Sequence, residues 1–212
     1  MKNNKKLLIQ IPNEIIKNKV FMMDSNTFAT YTYLKYLYFR NYNNEEIELL
    51  HRDFKNTLNI SDNRTMKKCL LNLYKQGIIL DYIDSFPKRK PIKLTFVPEP
   101  FETQSFTQLP ATILYKINNI GCIGLRILFY YESFINRNDR SELQFAFPSI
   151  ETTAMELNIN KETVIQYNKI LQENKLLKIT KYEIEWDGVY NHLDKPLFIK
   201  YNNHYDVILK NM

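Results

Sequence analysis

Two stretches far apart along the chain carry nearly the same run of apolar and polar positions. Leu8-Ile9-Gln10-Ile11-Pro12 and Phe106-Thr107-Gln108-Leu109-Pro110 each read as a short extended piece closed by a proline, which is suited to open a helix at its first turn. A long helix follows in each copy. Its apolar residues recur at spacings of three and four: Phe28, Tyr31, Leu34, Leu37 and Tyr38 in the first, Leu125, Leu128, Phe129 and Phe134 in the second. These are core-facing stripes.

A second pair of segments repeats more closely: LNISDNRTMKKCLLNLYKQGIIL from Leu58 to Leu80, and LNINKETVIQYNKILQENKLLKI from Leu157 to Ile179. With a one-residue offset in the turn, Thr65 matches Thr163, Met66 matches Val164, Leu73 matches Leu171 and Ile78 matches Leu176. One unit is used twice. Leu58 or Leu157 ends a helix, Ile60 or Ile159 plugs the following turn into the core, and Ser61 or Asn160 is placed to cap the next helix. The next helices, predicted over Asp62–Gln76 and Lys161–Glu173, bury one stripe and leave the opposite face for a ligand.

After each of these helices the period changes to that of a strand. In the first copy Gly77 suits the helix C-terminus, Ile78–Asp84 is extended, and Ser85–Pro91 makes a basic turn before a strand over Ile92–Val97. In the second copy Leu176–Trp186 is extended, Asp187-Gly188 is a tight hairpin signal, and strand patterns run through Leu197–Tyr201 and Val207–Leu209. Between the copies, Pro98 to Ser105 has two prolines and mixed polarity, which predicts a boundary. The pattern predicts a helix-rich α+β chain with one unit over 1–97, a linker over 98–105 and a second unit over 106–212 with extended C-terminal strands. Each unit holds about three or four helices and a β-hairpin.

The composition, 44% hydrophobic and 25% charged with four glycines, is that of a globular chain. Cys69 and Cys122 stand in apolar segments without a CxxC neighbour, as expected of buried thiols in a reducing cytoplasm. Near the N-terminus, Gln10 and Pro12 interrupt the apolar run below signal-peptide length, and no segment reaches the roughly 18 apolar residues that span a bilayer. A cytoplasmic protein is expected. Its net charge of +6 is unevenly placed. Residues 1–104 hold 17 Lys and Arg against 11 Asp and Glu, whereas residues 105–212 hold 12 of each. A basic first half favours an acidic partner such as nucleic acid or a membrane surface.

The chemistry-bearing residues do not converge on a catalytic set. His51, His192 and His204 lack metal-ligand spacing, and Glu183, Glu185 and Asp187 alternate as a solvated strand face would. Gly121 and Gly124 precede a helix without the Gly-Lys-Ser/Thr that a phosphate-binding loop requires. No enzyme, metal or cofactor is expected. The many aromatics fall mainly at core spacing, with Tyr167 open between packing and DNA contact.

The repeated unit of helix, tight turn, second helix and two-stranded wing resembles the bacterial winged helix-turn-helix class. Its second copy, with FTQLP and FPSIETTAMELNINKETVIQYNKILQENKLLKI, is similar to the N-terminal domain of plasmid replication initiators and to DnaD-type primosomal domains. The resemblance implies two tandem winged-helix domains that bind double-stranded DNA in plasmid or phage replication initiation, with a homodimer among the expected assemblies. It equally admits a transcriptional regulator of the same architecture, or a protein-interaction module of a primosome-like assembly. In such folds the second helix enters the major groove while the wing holds phosphates. Carried over by position, the DNA contacts of the first copy are Ser61, Asn63, Arg64, Lys67 and Lys68, with Lys88, Arg89 and Lys90 on the wing. Those of the second copy are Asn160, Lys161, Thr163, Gln166 and Lys169. By charge, the first copy is the stronger expected contact.

Overall fold

The computed structural model describes residues 7–87, 90–103, 105–138, 144–181, 186–190, 196–198 and 203–212. The first copy runs β1 (Leu8–Pro12), α1 (Asn13–Ile16), α2 (Ser25–Arg40), β2 (Glu46–Leu49), α3 (His51–Leu58), α4 (Asn63–Lys75) and β3 (Ile92–Thr95). The second runs β4 (Phe106–Pro110), a 3-10 turn (Ala111–Lys116), α5 (Ile117–Glu132), α6 (Ile150–Leu157), α7 (Lys161–Glu173), β5 (Leu177–Lys181), β6 (Trp186–Tyr190), β7 (Pro196–Phe198) and β8 (Asn203–Val207). The chain is therefore mixed α+β and helix-rich, with small antiparallel sheets.

The two proline-closed segments pair with each other. β1 and β4 lie antiparallel, with Gln10 opposite Gln108, Leu8 opposite Pro110 and Pro12 opposite Phe106. Because equivalent positions of the repeat exchange partners, the ribbon has the self-complementary register of a two-fold interface, formed here within one chain. Ile9, Ile11 and Leu109 turn into the core, and Leu8, Phe106 and Gln108 face outward.

The two long helices α2 and α5 pack together beneath this ribbon, where Phe28 meets Phe129 edge to face at 5.7 Å. Both rings are fully buried, and each contributes about 1.5–3 kcal/mol by leaving water. Asp24 caps α2 by accepting from the Thr27 amide at 2.8 Å, and Thr30 and Thr32 return their hydroxyls to carbonyls one turn back. These bonds satisfy the hydroxyls of two of the three buried threonines of α2. Helix α5 is bent at Gly121, whose φ of +66° lies in the left-handed region, and the Tyr167 ring of α7 packs against that residue. Tyr167 is thus a packing residue. One continuous hydrophobic core includes residues of both copies, from Ile9 to Val207.

The small sheets frame the helix pairs. β2 pairs with β3, and an isolated bridge between Ile79 and Phe96 adds the segment that leaves α4. In the second copy β5 pairs with β8, and Ala146 bridges to Tyr205 in the same manner. Three strand expectations need correction, the first being Val207–Leu209: the last strand is Asn203–Val207, and Leu209–Asn211 is a 3-10 turn. The extended run Ile78–Asp84 pairs only around Ile79 and Leu80, because Asp81 turns its carboxylate onto the Thr95 amide. Strand β2 was not expected, although Glu46-Ile47-Glu48-Leu49 alternates exposed and buried. Asp187-Gly188 lies inside β6, which pairs antiparallel with β7, and so does not form the expected two-residue turn. The pairing partner, more than the dipeptide, decides where the chain reverses.

Candidate nucleic-acid interface

The turn between α3 and α4 is built as its sequence implies. Leu58 and Ile60 are buried, and Asn59 between them takes a left-handed φ of +53°, a conformation that asparagine tolerates better than most residues. The equivalent turn after α6 repeats this, with Asn158 at φ +52° next to buried Leu157. Met66, Cys69, Leu70 and Leu73 form the inner stripe of α4. The helix contains no acidic residue, and Arg64, Lys67, Lys68 and Lys75 lie off the buried stripe.

The caps differ from expectation. Ser61 is exposed, and Asp62 caps α4 by accepting from the amides of Arg64 at 3.0 Å and Thr65 at 2.9 Å. Those backbone bonds hold the Asp62 carboxyl below its usual range. Ser-Asp offers two cap formers in a row, and the helix starts after the second. Asn160 occupies the cap position of α7 but makes no side-chain cap bond.

The basic side chains around α4 fall into two groups. Lys67 donates to Asp84 at 2.7 Å, which ties the helix to the segment leading into the wing, and Lys68 lies 3.6 Å from Asp24 at the start of α2. Arg64 is exposed and has no ion pair among the described residues. Beside them, His51 stacks on Phe86 with ring centroids 5.3 Å apart and planes inclined by 24°. The Asp84–Phe86 segment is therefore fastened to α3 by stacking and to α4 by an ion pair. Lys90 is exposed; Lys88 and Arg89 lie outside the described residues, as do Glu183, Glu185 and His192.

Like Lys67 and Lys68 of α4, the lysines of α7 have carboxylate neighbours, but α7 also carries acids of its own and no arginine. Lys161 pairs with Glu151 at 3.1 Å and Lys169 with Glu173 at 4.0 Å, so both cations have an adjacent carboxylate. Gln166 is exposed, Thr163 is half-buried, Ile165 shows 55% of its surface, and Met155 of α6 shows 74%. Two lysines and two glutamates leave α7 without net charge. The structure thus places Asn63, Arg64, Lys67 and Lys68 on a helix with no acid of its own, and Lys161, Thr163, Gln166 and Lys169, with Asn160 at the cap, on one whose two glutamates match its two lysines.

Sequence reasoning overlooked His51, Lys55 and Asp84, which surround the start of α4. They come from α3 and the Asp84–Phe86 segment, and nothing in their local pattern marks them as neighbours. Among the described residues no cluster of His, Cys, Asp and Glu is arranged to hold a metal ion, and no helix is long and apolar enough to cross a membrane. No protein-family model matches the chain, and neither does any curated protein or solved structure.

Proposed function

We propose that the chain is a sequence-specific double-stranded-DNA-binding protein of two winged-helix units that acts in plasmid or phage replication initiation. The observation that carries the reading is that α4 contains no acidic residue of its own and carries Asn63, Arg64, Lys67 and Lys68 in its N-terminal half, with Arg64 exposed and outside any ion pair among the described residues. A helix of this kind presents hydrogen-bonding groups to base edges and cations to phosphates. The order of elements supports the winged-helix reading. Helix, strand, helix, helix, strand and strand follow as α2, β2, α3, α4, the Ile79 segment and β3, and again as α5, Ala146, α6, α7, β5 and β8.

A second reading applies to the second copy. Its neutral α7 with exposed Ile165 and Met155 favours contact with protein over contact with phosphate. Selection of genomic or plasmid fragments by the purified chain at about 150 mM salt, where nonspecific phosphate binding has faded, separates the readings. Repeated sites in an origin, lost in the Arg64→Ala/Lys68→Ala variant, support initiation; promoter sites support a regulator. No enrichment, with a stable protein partner captured instead, supports the interaction module.

A further inference from the structure

Asn63 is the first residue of α4, and its side chain has an uncommon surrounding. His51 Nε2 lies 2.9 Å from its Oδ1, and Lys55 Nζ lies 3.4 Å from the same atom. A lysine ammonium only donates hydrogen bonds. The atom facing both groups is therefore the amide oxygen, since the amide nitrogen there would put donor against donor. This in turn requires the proton of His51 on Nε2, so that the ring donates to Asn63. The two lone pairs of Oδ1 are then engaged by α3, and the amide NH2 has no partner among the described residues. His51 is held in place from its other side by the ring of Phe86.

Resting on the DNA-binding reading above, we infer that Asn63 meets the duplex as a donor only, selecting an acceptor and discriminating against adenine. An asparagine that reads adenine needs its oxygen for the N6 amino group and its nitrogen for N7. Here the oxygen is already occupied, so adenine would present an amino group to no acceptor. Guanine, with N7 and O6, and thymine, with O4, match a donor; so does a phosphate oxygen. His51 and Lys55 act as positioning residues, setting which end of the amide points outward. A free asparagine on such a helix suits adenine; the neighbours of Asn63 on α3 occupy the oxygen which that pairing needs.

Selection from a randomised duplex pool by the full chain tests this, using the wild type, Asn63→Ala and His51→Ala/Lys55→Ala. Asn63 is exposed and His51 and Lys55 are half-buried, and thermal melting verifies that each variant folds. The base position whose preference relaxes in Asn63→Ala is the one Asn63 touches. In the wild type that position takes guanine or thymine, and in the double variant adenine rises by about fivefold or more as the amide turns free. A uniform loss of affinity in Asn63→Ala, with no base preference changed and the salt slope kept, assigns the contact to a phosphate oxygen and overturns the discrimination against adenine. An adenine requirement in the wild type, no gain of adenine in the double variant where a base is read, or no effect of Asn63→Ala overturns it. If the wild type binds no duplex, the DNA reading itself fails first, and this inference falls with it.

Discussion

Arg126 of α5 and Asn18 of the first copy form a buried contact across the repeat, the Arg126 guanidinium donating to Asn18 Oδ1 and to the Met23 carbonyl. Asn18 completes the link by donating to the Glu156 carbonyl at 3.2 Å, and Arg126 reaches the Leu157 carbonyl at 3.4 Å. The guanidinium, 1% exposed, also lies over the Phe28 ring at 5.4 Å. Burial lowers its pKa to about 10, although the Asp24 charge opposes this. Arg126→Leu should leave the Met23 carbonyl without this donor and Asn18 Oδ1 with only the Met23 amide, and cost about 1–3 kcal/mol. Urea unfolding measures the loss; a change below about 1 kcal/mol would remove Arg126 from the role of a cross-repeat tie.

The shared core leads to a second expectation. Because α2 and α5 bury their faces on each other, neither copy retains a complete core alone. The chain should unfold in one transition, with far-UV circular dichroism and the fluorescence of its single tryptophan, Trp186 in β6, giving the same midpoint. Two separated transitions would mean that each copy folds independently.

Glu132 at the end of α5 is 4% exposed and receives Arg137 through two bonds of 2.8 and 2.7 Å, while Arg137 also donates to the Val207 carbonyl of β8 at 3.0 Å. Burial pushes the Glu132 carboxyl up, against the pull of Arg137. Removing only the cation strands a buried carboxylate, so Arg137→Ala should destabilise by about 3–5 kcal/mol and Arg137→Ala/Glu132→Gln by less. Thermal melts of the two variants decide this, and equal losses would count against the pair.

Lys35 of α2 is 4% exposed, with its ammonium 5.5 Å from the Phe39 ring, and burial lowers its pKa from 10.5 to about 8. Above pH 8 the folded chain has released this proton while the unfolded chain still holds it. Stability from this group therefore rises with pH between about 8 and 10.5 and is at its lowest below that window. Lys35→Met should raise the midpoint of unfolding at pH 7, and the gap to the wild type should narrow on going from pH 8 to pH 10. A gap that stays constant with pH would show that Lys35 keeps its ordinary titration.

The two helix faces should respond unequally to charge removal. Arg64→Ala is expected to weaken duplex binding by about 1–3 kcal/mol, with a smaller salt slope if the lost contact is to phosphate. Lys161→Ala, which takes a cation already paired with Glu151, should change affinity by less than about 1 kcal/mol. Titrations of labelled duplex at several salt concentrations give both numbers, and equal effects would mean that α7 contacts DNA as α4 does.

The sequence by itself determined what depends on near neighbours. The repeat, the buried stripes of α4 and α7, the turn plugs Leu58 and Ile60, and the basic character of the first copy all follow from spacing and residue type, because helix periodicity and burial are local properties. Only the tertiary structure decided what depends on partners distant in the chain. It paired LIQIP with FTQLP, completed β3 with the unforeseen β2, put Asp187-Gly188 inside a strand and moved the α4 cap from Ser61 to Asp62. It also bound Lys67 to Asp84 and turned the Asn63 oxygen toward His51 and Lys55. Strand pairing and hydrogen-bond direction are set by which groups meet in space, and residue types along a chain leave several such meetings open until the core closes.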